Sequence, residues 1–304
     1  MKKLRTILGI LCMLACIGLF FAPDVRTFRL NIQSSRQIRE FDEQRKESLT
    51  GEVSSEKQYA DNVSFETGNP DRLYQEANAY NQQIYENGQD GLKDAWSYEQ
   101  SPVELTELPA GEMFGYIEIP AMEVRLPLYV GADSSNLAKG AAVLGQTSLP
   151  VGGNHTNCGV AGHRGYKGSP YFREIENLKI GDEVSITNRW ETLVYQVVEI
   201  QVILPYDIDA IRIQEGRELV TLVTCHPYRS NGRYRYVVYC ERKNNTKDAG
   251  AEPERLVEYE QDELPGGSSR PELIFERRVR RISAAAIVSA VLLLLVLRIK
   301  RRKR

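Results

Sequence analysis

Apolar residues along this chain fall into three patterns. Two uncharged runs stand near the ends, at residues 6–22 and at 283–297, with Ile282 and Ile299 extending the second. Each is close to the length that crosses a bilayer as a helix. A helical period follows at 69–88, where Leu73, Ala77, Tyr80 and Ile84 are spaced four, three and four apart and line one face. Asn69 is placed to cap this helix, Pro70 to hold its first position, and Gly88 to end it. From Phe114 the pattern changes to short runs rich in β-branched and aromatic residues, parted by turn formers: 115–120, 125–130, 157–161, 183–187, 192–204, 219–224 and 234–240. Runs of this kind predict about eight strands, enough to close a small barrel, with one short helix at 134–138. The expected fold class is mainly β: a closed eight-stranded β-barrel with short helices, an N-terminal helical segment and two transmembrane helices.

The polar stretches divide the chain. Residues 23–68 are charged and hold few apolar positions (Phe28, Leu30, Ile32, Ile38, Phe41), so they read as a stalk that builds no core. Residues 244–281 are rich in Glu, Asp, Gly and Ser and read as a linker. The expected order is a tail at 1–5, an anchor at 6–22, the stalk, a helical and loop segment at 69–108, the barrel at 109–243, the linker, a second span at 282–299 and a basic tail at 300–304. Lys2, Lys3 and Arg5 precede the first run, and Arg298, Lys300, Arg301, Arg302, Lys303 and Arg304 follow the hydrophobic part of the second. That bias puts both termini in the cytoplasm and everything between the spans outside, with Arg277, Arg278, Arg280 and Arg281 as a contrary cluster. The first run also has competing readings. A cleaved signal peptide lacks its small-residue site, since Phe20 and Phe21 precede Ala22 and Pro23 follows. A lipoprotein cysteine at Cys16 has Ala15 before it, but Met13 and Leu14 fit that pattern poorly.

Composition narrows the chemistry. The 304 residues are 42% hydrophobic, ordinary for a folded core, and the net charge of −2 offers no electrostatic reason to bind nucleic acid. Of five cysteines, Cys12 and Cys16 lie in the first apolar run, which leaves Cys158, Cys225 and Cys240 for the barrel. Three are too few for a disulfide framework, although a Cys158–Cys240 bridge stays open. No Cys/His spacing matches a zinc site, no acidic run reads as a calcium loop, and no cofactor is expected.

Candidate chemistry concentrates at 219–240. A strand-like run ends on Cys225, a polar loop with Pro227, Ser230, Asn231 and Gly232 follows, and a second strand opens with Arg233 and Arg235 close to its start. A thiol at one strand end and a guanidinium at the start of the next can attack a carbonyl and hold the oxyanion. Taken alone, a cysteine at a strand end is more often a small buried side chain. His163 is the natural proton carrier; His155 sits in a turn, and His226, next to Cys225, should face away.

Thr221-Leu222-Val223-Thr224-Cys225, followed by Pro227-Tyr228, Asn231 and an arginine opening an apolar strand, resembles a signature of the sortases. Gly162-His163-Arg164-Gly165 resembles their second signature, and the likeness extends over 114–242. The resemblance implies a membrane-anchored extracellular cysteine transpeptidase of a Gram-positive cell. Cys225 is then the nucleophile, His163 the proton carrier and Arg235 the oxyanion donor, with a loop one residue longer than the family's usual spacing. The implied substrate is a Leu-Pro-x-Thr-Gly-like sorting signal cut between Thr and Gly. The implied acceptor is a pilin lysine or a cell-wall precursor amine. Asp94-Ala95-Trp96 is similar to the Asp-Pro-aromatic lid of the pilin-polymerising branch, class C, except that alanine replaces proline. On its own, Trp96 also reads as an aromatic that pins a loop to the surface. A hydrolase using the same pair, a wall-anchoring sortase and a non-enzymatic surface scaffold remain the rival readings.

Overall fold

The computed structural model describes residues 2–50, 70–94, 103–165, 171–230, 232–243 and 265–302. Eight strands close a barrel: β1 (Met113–Ile119), β2 (Val124–Val130), β3 (Ala141–Val143), β4 (Thr156–Ala161), β5 (Glu183–Thr187), β6 (Thr192–Ile203), β7 (Glu218–His226) and β8 (Tyr234–Arg242). Their order around the barrel is β1-β2-β3-β4-β7-β8-β6-β5, and β1 pairs with β5 to close it. Neighbours run antiparallel except β2–β3 and β4–β7, which are parallel. β7 and β8 read as continuous apolar runs because both of their faces are covered. One face meets Ile117, Leu128, Val160 and Phe172 in the barrel interior. The other carries Val223, Val237 and Tyr239 against Leu137, Ile211 and Leu92.

The expected strand runs match β1, β2 and β4–β8 within a few residues; β3, three residues long, is additional. Gly140 just before it lets the chains close up, since a Cβ there would stand 2.3 Å from the Pro127 carbonyl oxygen. Helix α3 (Ser134–Leu137) sits where the short helix was expected, its start capped by Asp133, which accepts bonds from Ser135 N and Asn136 N. Helix α2 (Pro70–Glu86) buries Leu73, Ala77 and Ile84 as their spacing requires. The Tyr80 hydroxyl on the same helix accepts a bond from Gln146 N. Its expected cap, Asn69, lies outside the described residues.

Two expectations for the flanks change. Helix α1 (Lys2–Thr50) continues through residues 23–50 of the expected stalk, whose remainder, 51–68, lies outside the described residues, and Ile38 and Phe41 pack on Tyr116 of β1. A single turn of apolar contact, three residues apart, is too short to register as a periodic face. Helix α4 (Arg270–Arg302) begins inside the expected linker, and residues 265–269 ahead of it dock on the barrel; residues 244–264 lie outside the described residues. Among the described residues no helix is long and apolar enough to cross a membrane. The spans expected at 6–22 and 282–299 therefore gain no support here. Both are helical, but side chains of 6–12, 14, 19 and 292–299 lie outside the described residues.

The open question of a Cys158–Cys240 bridge is answered by register. Both residues pair with Val220, from opposite sides of β7. Two strand spacings, about 9.5 Å, separate them, beyond disulfide reach. Both are free and buried.

Candidate active site

The barrel order places β4, β7 and β8 side by side, and three of the singled-out residues stand at one end of them. Cys225, next to last in β7, pairs directly with Arg235 in β8. On its other flank Ala161 of β4 pairs with Val223, and Gly162 N continues the ladder to the Val223 carbonyl at 3.1 Å. Cys225 and Arg235, paired directly, point to the same face. His163 follows Gly162 just past the end of β4, so the three residues stand in a row along adjoining chain ends. Phe172 N donates to the His163 carbonyl at 3.0 Å, and the Tyr171 ring lies 6.3 Å from the imidazole, edge to face. Gly162 is required there, because a Cβ would fall 2.7 Å from the Phe172 ring.

Arg233 and Arg235 stand two residues apart, a spacing that strand alternation puts on one face, and the pairing separates them. Arg235 is buried opposite Cys225; Arg233 precedes the strand and is exposed. The loop between the strands folds back through Gly232 at φ +76°, where a Cβ would meet Arg235 Nη1 at 2.6 Å and Cys225 Sγ at 3.2 Å. Arg235 Nη1 donates to the carbonyls of Gly232 (2.6 Å) and Tyr234 (3.1 Å). Its Nε and Nη2 donate to Asp94 Oδ1 and Oδ2, each at 2.7 Å. Two edges of the guanidinium, at Nε and Nη2, are thus held by the Asp94 carboxylate. Trp96 lies outside the described residues.

Burial dominates the electrostatics. It pushes the half-buried Cys225 thiol up to about 11, with Asp94 adding to the rise while Arg235 and Arg164 oppose it. Burial also lowers the basicity of His163. At neutral pH the resting thiol is therefore protonated. His226 is the last residue of β7, and as alternation leads one to expect it points away from the row, into a buried cluster with Arg164 and Glu176. Arg164 Nη1 donates to its Nδ1 at 2.7 Å, and burial and Arg164 hold its basicity down to about 4. His155 accepts from Gly216 N through Nδ1 and stacks on Tyr85, a structural contact far from the row.

Sequence reasoning passed over Arg164 and Glu176, which form an ion pair with both side chains 2% exposed. Arg164 stood within the Gly-His-Arg-Gly motif, so its position carried a signal; Glu176 had none. Among the described residues no His/Cys/Asp/Glu group is arranged to hold a metal ion.

A family model described as the Sortase domain matches residues 117–243. Sortase D of Bacillus subtilis (strain 168) is 28% identical over 134 residues, 43% of this chain, and the match spans 65% of that relative's length. Sortase C1 of Group B Streptococcus Pilus Island 1 superposes with TM-score 0.57 at 27% identity, covering 72% of this chain and 96% of that one. Group B Streptococcus Pilus Island 1 Sortase C2 does so with TM-score 0.53 at 32% identity, covering 58% of this chain and 99% of that one. With the barrel, both motifs and near-complete coverage of such a structure in agreement, this chain belongs to the sortase family of cysteine transpeptidases.

Proposed function

We propose that this protein is a membrane-anchored extracellular transpeptidase that joins a sorting-signal peptide to an amine through a thioester on Cys225. The observation that carries the reading is Cys225 of β7 paired directly with Arg235 of β8, with His163 just past the end of the neighbouring β4. In the first step the thiol proton passes to His163 and sulfur attacks the Thr carbonyl carbon of a Leu-Pro-x-Thr-Gly-like signal. An S–C bond forms, and Arg235, once Asp94 has moved aside, holds the oxyanion. The C–N bond to Gly then breaks and the amine leaves with the proton from His163. In the second step an acceptor amine attacks the thioester, an amide forms and the thiol is restored. Placement at the cell surface rests on the uncharged runs at 6–22 and 283–297 and their basic flanks.

A pilin lysine is the acceptor we favour, because the similar solved structures are named for pilus islands and because Asp94 occupies the guanidinium as a lid residue. The test incubates the full-length protein with such a peptide and a lysine-bearing peptide, with products read by mass spectrometry. An amide product and an acyl adduct on Cys225 are expected, and Cys225→Ala should lose both. Free acid as the sole product would make the protein a hydrolase, transfer only to a wall-type amine would make it a wall-anchoring enzyme, and wild-type turnover in Cys225→Ala would remove Cys225 from the role.

A further inference from the structure

Behind the row lies a buried charged cluster that this chemistry does not use. Arg164 directly follows His163 and has its guanidinium against the Cys225 backbone carbonyl. Its Nη2 donates to Glu176 Oε1, its Nη1 donates to His226 Nδ1 at 2.7 Å, and Nη1 also reaches the Cys225 carbonyl oxygen at 3.4 Å. One guanidinium therefore ties together the two chain segments that carry His163 and Cys225.

Glu176 is the other half of the joint. It sits on a 3-10 turn (Ile175–Asn177), and a carboxylate buried this deeply must be met by donors on every side. Beyond Arg164, its Oε2 accepts from Ser268 Oγ and from Ser269 N, both at 2.9 Å. Those serines close the segment 265–269, which leads into α4; Leu273 N of the first α4 turn bonds the Ser269 carbonyl at 3.1 Å. The same segment braces the loop after Cys225. Tyr228 N donates to Ser269 Oγ at 2.9 Å, and a Cβ on Gly266, at φ +91°, would stand 3.0 Å from Pro227 and 3.2 Å from Tyr234. A passive spacer needs none of these contacts.

We propose that Glu176 is a positioning residue for the His163–Cys225 pair and that residues 265–269 form a strap through which the seating of α4 sets the geometry of the site. This rests on the reading of Cys225 as the nucleophile.

The test uses the full chain in bilayer nanodiscs with Glu176→Gln, Glu176→Asp and Gly266→Ala. Gly266→Ala leaves every charge in place and pushes the strap against Pro227 and Tyr234, so it still reads the coupling if Glu176→Gln does not fold. Two quantities are measured: kcat and KM for peptide transfer, and the pH midpoint of Cys225 alkylation by iodoacetamide, followed on the Cys225 peptide. In Glu176→Gln and Gly266→Ala, kcat per folded molecule should fall about tenfold or more with KM within about twofold, since a misplacement of about 1 Å costs up to roughly a hundredfold. The alkylation midpoint should fall in Glu176→Gln, because the Arg164 charge beside the thiol loses its counter-charge, and should return to the parent value in Glu176→Asp. Parent kcat per folded molecule together with an unmoved midpoint overturns the proposal. A midpoint that moves as described in a protein that transfers no peptide overturns the transpeptidase reading and leaves the strap standing.

Discussion

Asp94→Ala should open the guanidinium and the thiol together. The clasp consists of two charge-assisted bonds at 2.7 Å between side chains 7% and 18% exposed, so solvent screens it little. A hydrogen bond to a charged group is worth about 1.5–3 kcal/mol net, and two on one carboxylate do not simply add. Holding the loop that bears Asp94 also has an entropic cost. A clasp of about 2–3 kcal/mol remains, roughly a 30- to 140-fold bias toward the closed arrangement. Labelling of Cys225 by a bulky maleimide reads that bias, with iodoacetamide as the small-reagent control. Loss of Asp94 also lowers the thiol pKa, because its charge contributes to the rise. The small reagent should therefore speed up modestly, through the thiolate fraction alone, and the bulky one by that factor multiplied by the released bias. Equal acceleration of both would show that the clasp gates nothing. Unchanged labelling with lost turnover would instead make Asp94 a substrate contact.

Three further outcomes follow from the same geometry. Arg235→Ala should slow thioester formation by roughly a hundred- to a thousandfold, the value of a positioned oxyanion donor, while Arg233→Ala costs little; losses in the opposite order would assign the role to Arg233. Gly232→Ala should slow acylation as strongly as it disturbs Arg235, since its Cβ would stand 2.6 Å from Nη1 on a backbone at φ +76°; wild-type acylation in this variant would mean the loop is free to move aside. With the thiol raised to about 11, Cys225 alkylation should climb about tenfold per pH unit between pH 7 and 10, and a plateau by pH 8 would show that the resting thiol is not raised.

Local pattern was sufficient for the strands that hold the site. The runs ending at Thr224 and opening at Tyr234 consist of β-branched and aromatic residues, whose preference for extended backbone depends on near neighbours. It was likewise sufficient for α2, because four apolar residues at helical spacing define a face whatever covers it. It did not reveal β3, whose three residues are extended only because β2 and β4 flank them. Nor did it reveal that Ile38 and Phe41 of α1 would find Tyr116.

The sequence by itself determined which residues bear chemistry: a cysteine at a strand end, a histidine between glycine and arginine, two arginines two positions apart. Tertiary structure decided how they meet. The parallel pairing of β4 with β7 brings the chain end that carries His163 beside the end of β7 that carries Cys225, and the register of β7 with β8 puts Arg235, rather than Arg233, across from the thiol. The same folding closes Arg164, Glu176 and Ser269 around the back of the site. Strand alternation is a property of each chain segment alone. Strand order and register are selected by which arrangement buries both faces of β7 and β8 and satisfies a buried carboxylate, and those conditions involve residues far apart in the chain.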